Sequence, residues 1–344
     1  MMRLPTFRYV APATIAEAAR ILADEGPDAM ILAGGTDLLP NMKRRQQTPA
    51  TLVALRRIEE LREVANGAGL ALGAGLTLAS VAASSAVRES YLALHQAAAQ
   101  VATAHLRSLG TLGGNLCLDT RCHYYDQSRE WRQAIDFCMK KDGTVCWVAP
   151  SSERCLAISS SDTAPALTAL GARVHLTSVR GEREIALADL YANDGIRYLT
   201  RRPDEVLTQV LLPESRGWRS TYWKLRRRGA FDFPVLGVAA AARVLGDGTV
   251  EEARIVLGAV ASRPLVTDAG KILAGGRLDD ESIAAAGEAA ARFAKPVDNA
   301  DFSLSWRKKV VAAFVGHALR ELRGDDVRGA RVLFMRGALD CGNP

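Results

Sequence analysis

Five of the six cysteines in this chain fall between Cys117 and Cys155, directly after a Gly-Gly-Asn turn. Cys122, Cys138, Cys146 and Cys155 are separated by 15, 7 and 8 residues, with aromatic and charged residues between them. The segment shows neither helical nor strand periodicity. Its sulfurs can meet only if long loops fold around a common point. The CxxC knuckles of a zinc ribbon are absent. Four thiolates can hold zinc in a closed tetrahedral site or a [4Fe–4S] cluster. Buried free thiols are the plainer alternative, and spacing alone leaves all three open. Tyr124, Tyr125, Trp131, Phe137 and Trp147 are placed to cover such a site. The six acidic and six basic residues of 117–155 leave the segment without net charge.

The rest of the chain reads as globular. Of its 344 residues, 48% are hydrophobic and 24% charged, which is an ordinary balance for a core of that length. Charges or glycines break every apolar stretch before the ~18 residues a membrane helix needs. The opening MMRLPTFRYVAPAT has no apolar region of the kind a secretory signal carries. A cytoplasmic location is therefore expected, where thiols stay reduced and disulfides are disfavoured. The net charge is +6, but KRR at 43–45 and RRR at 226–228 form no stripe with interleaved aromatics. Nucleic acid is not an expected partner. The five histidines are scattered, and no nucleophile–base set or HExxH zinc motif is present.

Residues 14–25 have helical periodicity behind Thr14. Ala29–Ala33 reads as a buried strand feeding the turn Gly34-Gly35-Thr36-Asp37. Short strands are expected at 51–55 and 69–75, and a helix capped by Thr77 at 78–84. The Ala-rich run 91–107 reads as a helix that ends in a second glycine turn, Thr111–Asn115. After Cys155 come a turn and helix in SDTAPALTAL, a strand and hairpin turn in ARVHLTSVRGERE, and a strand in RPDEVLTQVLLP. Further strands follow from Trp218, then helices near 281–293 and 306–323. Strands and helices mix without a strict βαβ rhythm, which makes the fold class α+β. A domain boundary is expected near 216, dividing 1–215 from 216–344.

A glycine turn after a strand lets backbone N–H groups converge on an anion without a Cβ in the way. Neither turn fits GxGxxG or the P-loop pattern, and a plain turn explains each taken alone. Taken together, AGGTDL and TLGGN resemble the FAD-binding subunits of the molybdenum hydroxylases, the medium-subunit family of xanthine and carbon monoxide dehydrogenases. The likeness spans nearly the whole chain. It implies a two-subdomain FAD-binding domain (PCMH-type) followed by a smaller α+β C-terminal domain. It also implies that Leu32, Ala33, Gly34, Gly35, Thr36, Asp37 and Leu38 form one wall of the FAD pyrophosphate site, and that Thr111, Gly113, Gly114 and Asn115 form the other. Asp162 of SDTAPAL matches a carboxylate on the adenosine side, Leu207 an apolar residue near the isoalloxazine, and Lys224 a basic residue at the ring's polar edge. The sequence departs from the family at Arg107-Ser108-Leu109-Gly110, where Arg-Asn often precedes the Gly-Thr.

Asn115 and Asp162 are much further apart here than in most relatives, so about 117–156 is an insertion. Its position and cysteine count resemble the 4-hydroxybenzoyl-CoA reductase β-subunit group, which carries an added [4Fe–4S] cluster. The resemblance makes Cys122, Cys138, Cys146 and Cys155 the expected ligands. Cys117 is expected to be a small core residue and Cys341 to be unconnected. The implied function is electron relay without substrate chemistry. Electrons from a ferredoxin-like donor would reach a small [2Fe–2S] subunit and a large molybdopterin subunit, in a dimer of heterotrimers, for reductive dehydroxylation of 4-hydroxybenzoyl-CoA. The alternatives are the FAD subunit of a related hydroxylase acting on another aromatic or N-heterocyclic substrate, and a zinc-stabilised scaffold without flavin.

Overall fold

The computed structural model describes residues 3–335; Cys341 lies outside them. Three sheets organise the chain. Strands β1 (Arg8–Val10), β2 (Ala29–Leu32) and β3 (Thr51–Ala54) form a parallel sheet in the order β1-β3-β2. Parallel strands need a crossover, and the helix Ile15–Glu25 lies in the connection that carries the chain from β1 to β2, on the far side of β3. Thr14 caps that helix by accepting from the Glu17 amide at 3.1 Å. Its apolar face buries Ala18 and Leu22 against Val53, Ile58, Leu61 and Val206.

The second sheet is antiparallel. It contains β4 (Val64–Asn66), β5 (Leu70–Gly73), β6 (Arg173–Ser178), β7 (Gly181–Ala186) and β8 (Val206–Leu212) in the order β4-β5-β8-β6-β7. The third holds β9 (Trp218–Leu225), β10 (Leu236–Val244), β11 (Val250–Gly258) and β12 (Leu265–Thr267) in the order β12-β11-β10-β9. Strand β10 reads LGVAAAARV and is buried over its first seven residues. Period-2 alternation explains the continuous burial. Val238, Ala240 and Ala242 enter one core with Phe314, Val315 and Ile283, from the helices Asp280–Phe293 and Leu304–Arg323. Ala239 and Ala241 enter another with Leu94, Ala98 and Ala166, from the helices Leu92–Gln100 and Thr163–Ala169. The third sheet is thus sandwiched between its own helices and those of the preceding half.

The structure revises three expectations. The helical run at 91–107 is two helices, Leu92–Gln100 and Ala104–Arg107. Lys224 Nζ and Arg226 donate to the Gln100 carbonyl at 3.1 and 3.2 Å, and Ala102 turns to φ +43°, so tertiary donors end the first helix. The second glycine turn is itself the first turn of a short helix, Leu112–Leu116, because Thr111 accepts from the Gly114 amide at 3.0 Å. A further helix, Arg328–Met335, follows the two expected at the C-terminal end.

A buried ion pair locks the halves together. Lys224 on β9 meets Asp162, at the start of the helix Thr163–Ala169, at 2.9 Å, with side-chain exposures of 0% and 3%. Tyr222 donates to the other Asp162 oxygen at 2.7 Å. Burial pushes Lys224 below the usual ammonium range, and Asp162 opposes that shift. Removing one partner strands the other charge in the core. Asp162→Asn or Lys224→Met is expected to cost about 3 kcal/mol, read as a lower denaturant midpoint at an unchanged slope. A loss below about 1 kcal/mol would show that the pair is not the lock described here.

The expected insertion enters after the helix Leu112–Leu116 and returns before Asp162. Its ends are paired: Arg121 and Ile158 form an antiparallel bridge with reciprocal amide bonds of 2.8 Å. It contains one short helix, Arg129–Ala134, capped by Ser128. No helix among the described residues is long and apolar enough to cross a membrane.

Candidate functional site

The two glycine turns, far apart in sequence, lie against each other. A Cβ on Gly34 would sit 2.1 Å from the Leu109 carbonyl oxygen and 2.9 Å from the Gly110 Cα. A Cβ on Gly110 would stand 3.4 Å from the Thr36 hydroxyl, and one on Gly114 3.7 Å from the Ala33 Cβ. Gly35 has φ +72°, a conformation that glycine adopts without strain. Beneath the turns, Leu32 and Leu38 pack with Met42 and Leu52, and Leu207 on β8 shares a buried cluster with Leu112 and Leu116. Among the described residues, the amides of Gly34, Gly35 and Thr36 have no acceptor within the chain. The amides of Leu112, Gly113 and Gly114 are used by Leu76, Ala74 and Thr111. The first turn therefore offers the open donors, and the second is a rigid wall held against it.

The expected polar residues divide between this cleft and its supports. The Asn115 Oδ1 accepts from Ser161 Oγ (2.8 Å), the Thr163 amide (3.2 Å) and Thr163 Oγ1 (2.6 Å). Asn115 thus ties the second turn to the start of the helix that positions Asp162. Asp162 and Lys224 come together, but on each other. Asp37 pairs with Arg121 from the insertion and accepts from Asn41 at 3.2 Å. Burial raises its carboxyl above the ordinary value, and the Arg121 guanidinium opposes the shift.

Cys122, Cys138, Cys146 and Cys155 line one small cavity. Tyr124, Tyr125, Met139, Lys140, Trp147 and Val148 complete the walls. All four thiols are buried. Tight turns aim them inward. The Cys122 carbonyl accepts from the Tyr125 and Asp126 amides at 3.0 and 2.9 Å, and the Cys138 carbonyl from Lys141 and Gly143 at 2.9 and 3.1 Å. Burial pushes the Cys122 thiol up to about 12, with the neighbouring thiols adding to the shift and the Tyr124 amide opposing it. Cys155 is pushed up to about 11 by burial, with the Ala157 amide and Lys140 opposing. Among the described residues, no group of three or more His, Cys, Asp or Glu is arranged to hold a metal ion. The four cysteines share the wall of one cavity. Cys117 is not part of this wall. It is half-buried and its thiol is raised by burial, with Arg201 opposing.

The insertion is pinned to the first glycine turn and the helix that follows it. Besides Arg121–Asp37, Gln46 donates to the Tyr125 carbonyl at 2.6 Å, and buried Arg132 donates to the carbonyls of Arg44 and Arg45. Arg121, Arg132, Lys140 and Gly195 were not singled out from the sequence. Arg121 stands beside Cys122 in DTRC, but nothing local announces its partner 84 positions away.

Residues 5–215 match the family described as the FAD binding domain in molybdopterin dehydrogenase, and residues 220–322 match the CO dehydrogenase flavoprotein C-terminal domain. The chain belongs to the FAD-binding subunits of the molybdenum hydroxylases. Among relatives of this FAD-binding family, the aldehyde oxidoreductase FAD-binding subunit PaoB of Escherichia coli (strain K12) is 34% identical over 76% of this chain and 83% of its own. The carbon monoxide dehydrogenase of Hydrogenophaga pseudoflava has a solved structure that superposes with a TM-score of 0.76 at 26% identity, covering 93% of this chain and 98% of that one. Quinoline 2-oxidoreductase from Pseudomonas putida 86 gives 0.72 at 28% identity over the same shares. The FAD-binding-subunit fold, with its flavoprotein C-terminal domain, therefore extends over 93% of this chain.

Proposed function

We propose that this chain holds FAD between its two glycine turns and serves as the electron-transferring subunit of a molybdenum-hydroxylase-type complex. It would associate with a large molybdopterin subunit and a small iron–sulfur subunit, and its domains would divide near residue 216. The observation that carries the reading is the approach of Gly34 to the Leu109–Gly110 backbone, beside amides with no acceptor in the chain. FAD, when bound, supplies one- and two-electron exchange. The chain's own residues hold and orient it. The open amides at Gly34–Thr36 would meet the pyrophosphate, Thr111–Asn115 would back it, and Leu207 would present an apolar surface to the ring system. Asp162 and Lys224 would fix the flank by holding each other. The named relatives act on aldehydes, carbon monoxide and quinoline, so the substrate is set elsewhere in the complex and this reading leaves it open among such compounds.

The four-cysteine cavity favours a narrower second reading, a 4-hydroxybenzoyl-CoA reductase β subunit with a [4Fe–4S] site fed by a ferredoxin-like donor. The donor chemistry fits. Four soft thiols line one small cavity, and a cubane holds its thiolates further apart than a single ion does. Loading such a site would release the protons that burial now retains on Cys122 and Cys155.

Purification with co-produced partner subunits tests both readings. About one FAD per chain and co-elution with a molybdopterin subunit are expected; a colourless chain carrying zinc would instead be the scaffold. Oxidation of an aldehyde or N-heterocycle with no conversion of 4-hydroxybenzoyl-CoA would retire the narrower reading and keep the broader one.

A further inference from the structure

We infer that Lys140 is a positioning residue that sets the reduction potential of the four-cysteine site by holding one buried positive charge against its wall. The inference rests on reading that cavity as an iron–sulfur site. Lys140 lines the cavity together with all four cysteines, and its side chain is 6% exposed. Its ammonium donates to Asp119 Oδ1 at 2.8 Å, Thr120 Oγ1 at 2.7 Å and the Gly195 carbonyl at 2.6 Å. These bonds use all three protons, so the charge is fixed in place. The rings of Tyr125 and Tyr198 lie 4.7 and 5.3 Å from the nitrogen and offer it their negative faces. Asp119 is equally buried and also accepts from Tyr125 and Gln47.

A buried ion pair is no efficient stabiliser, since apolar side chains of similar volume serve as well. Placement explains this one better. Gly195, whose carbonyl anchors the ammonium, is also pressed against the cavity: a Cβ there would lie 2.6 Å from the Cys155 sulfur. The Gly195 amide donates to the Cys155 carbonyl at 2.8 Å. One backbone turn therefore fixes both the cysteine and the cation. Reduction of an iron–sulfur site adds one electron and one negative charge. A fixed positive charge in low-dielectric surroundings favours that change, and a fixed negative charge opposes it.

The test is an anaerobic potentiometric titration of the full-length chain with dithionite, followed by EPR and visible absorbance. Lys140→Met should hold its iron but reduce less readily, with at least a tenfold fall in the reduction equilibrium constant, about 59 mV for one electron. Lys140→Arg should stay near the parent. Asp119→Asn should move the potential the opposite way, towards easier reduction. Parent potentials in both Lys140→Met and Asp119→Asn would overturn the inference while leaving the iron–sulfur reading intact. If Lys140→Met loses its iron, the sign at Asp119→Asn decides, and an unchanged or lowered potential there overturns it. A parent chain that takes up no cluster overturns the underlying reading and the inference with it.

Discussion

Gly34→Ala is expected to weaken FAD binding tenfold or more, so that the purified chain loses its stoichiometric flavin absorbance. Gly34 does not have positive φ, so the effect is steric rather than conformational. The added methyl would sit 2.1 Å from the Leu109 oxygen and 2.7 Å from its carbonyl carbon. Both are backbone atoms and cannot rotate away. Separating the turns enough to admit the methyl costs about 2–3 kcal/mol, the upper part of the range for overpacking, which is tenfold or more in affinity. Gly67→Ala is the control, because an added Cβ there meets nothing within 4 Å. Flavin content per chain, beside a thermal melt to confirm folding, reads the result. Parent-like affinity in a folded Gly34→Ala chain would remove the cleft between the turns as the flavin site.

On the iron–sulfur reading of the cavity, Cys138→Ser and Cys146→Ser are each expected to strip most of a cluster's four irons while FAD stays bound. Both cysteines belong to the cavity wall, and no residue of either glycine turn lines it. At Cys138 the backbone is tightly wound: Asp136, Phe137 and Asp142 all have positive φ, and a Cβ on Gly143 would lie 2.8 Å from the Cys138 amide. Such a turn is costly to form and is held only where its surroundings over-determine it. Cys117→Ser should keep its iron, since Cys117 lies off the wall. Iron and flavin assays on the three variants decide the matter. A full iron complement in both cavity variants would sink the ligand assignment.

Local structure was the most legible part of this chain. Thr14 ahead of an apolar face, Thr77 ahead of Leu78 and the alternation in ARVHLTS each act within a few residues, and each produces the expected element. The glycine turns were legible as a pair through their likeness to a family; their mutual contact was not, because it depends on how β2 and the helix Leu112–Leu116 are brought together. The gathering of four cysteines was expected, but the side chains that enforce it were not. Lys140 reaches Gly195 across 55 positions, and Arg121 reaches Asp37 across 84. No periodicity encodes such pairs. The same holds for Asp162 and Lys224. The family resemblance reads each as a ligand-facing charge, yet in the fold each is the other's partner.

The bridge between Arg121 and Ile158 bears on how such a chain could have arisen. Bridged residues stand about 5 Å apart, so the backbone leaves and re-enters the parent fold through a gap that a tight turn could span. Read as an insertion, everything between is a cassette that contributes no strand to the three sheets. Lengthening a surface connection costs little chain entropy. Ancestors with and without the cassette could therefore have shared one scaffold and one flavin cleft, and a lineage could acquire or shed the cysteine centre in a single insertion or deletion.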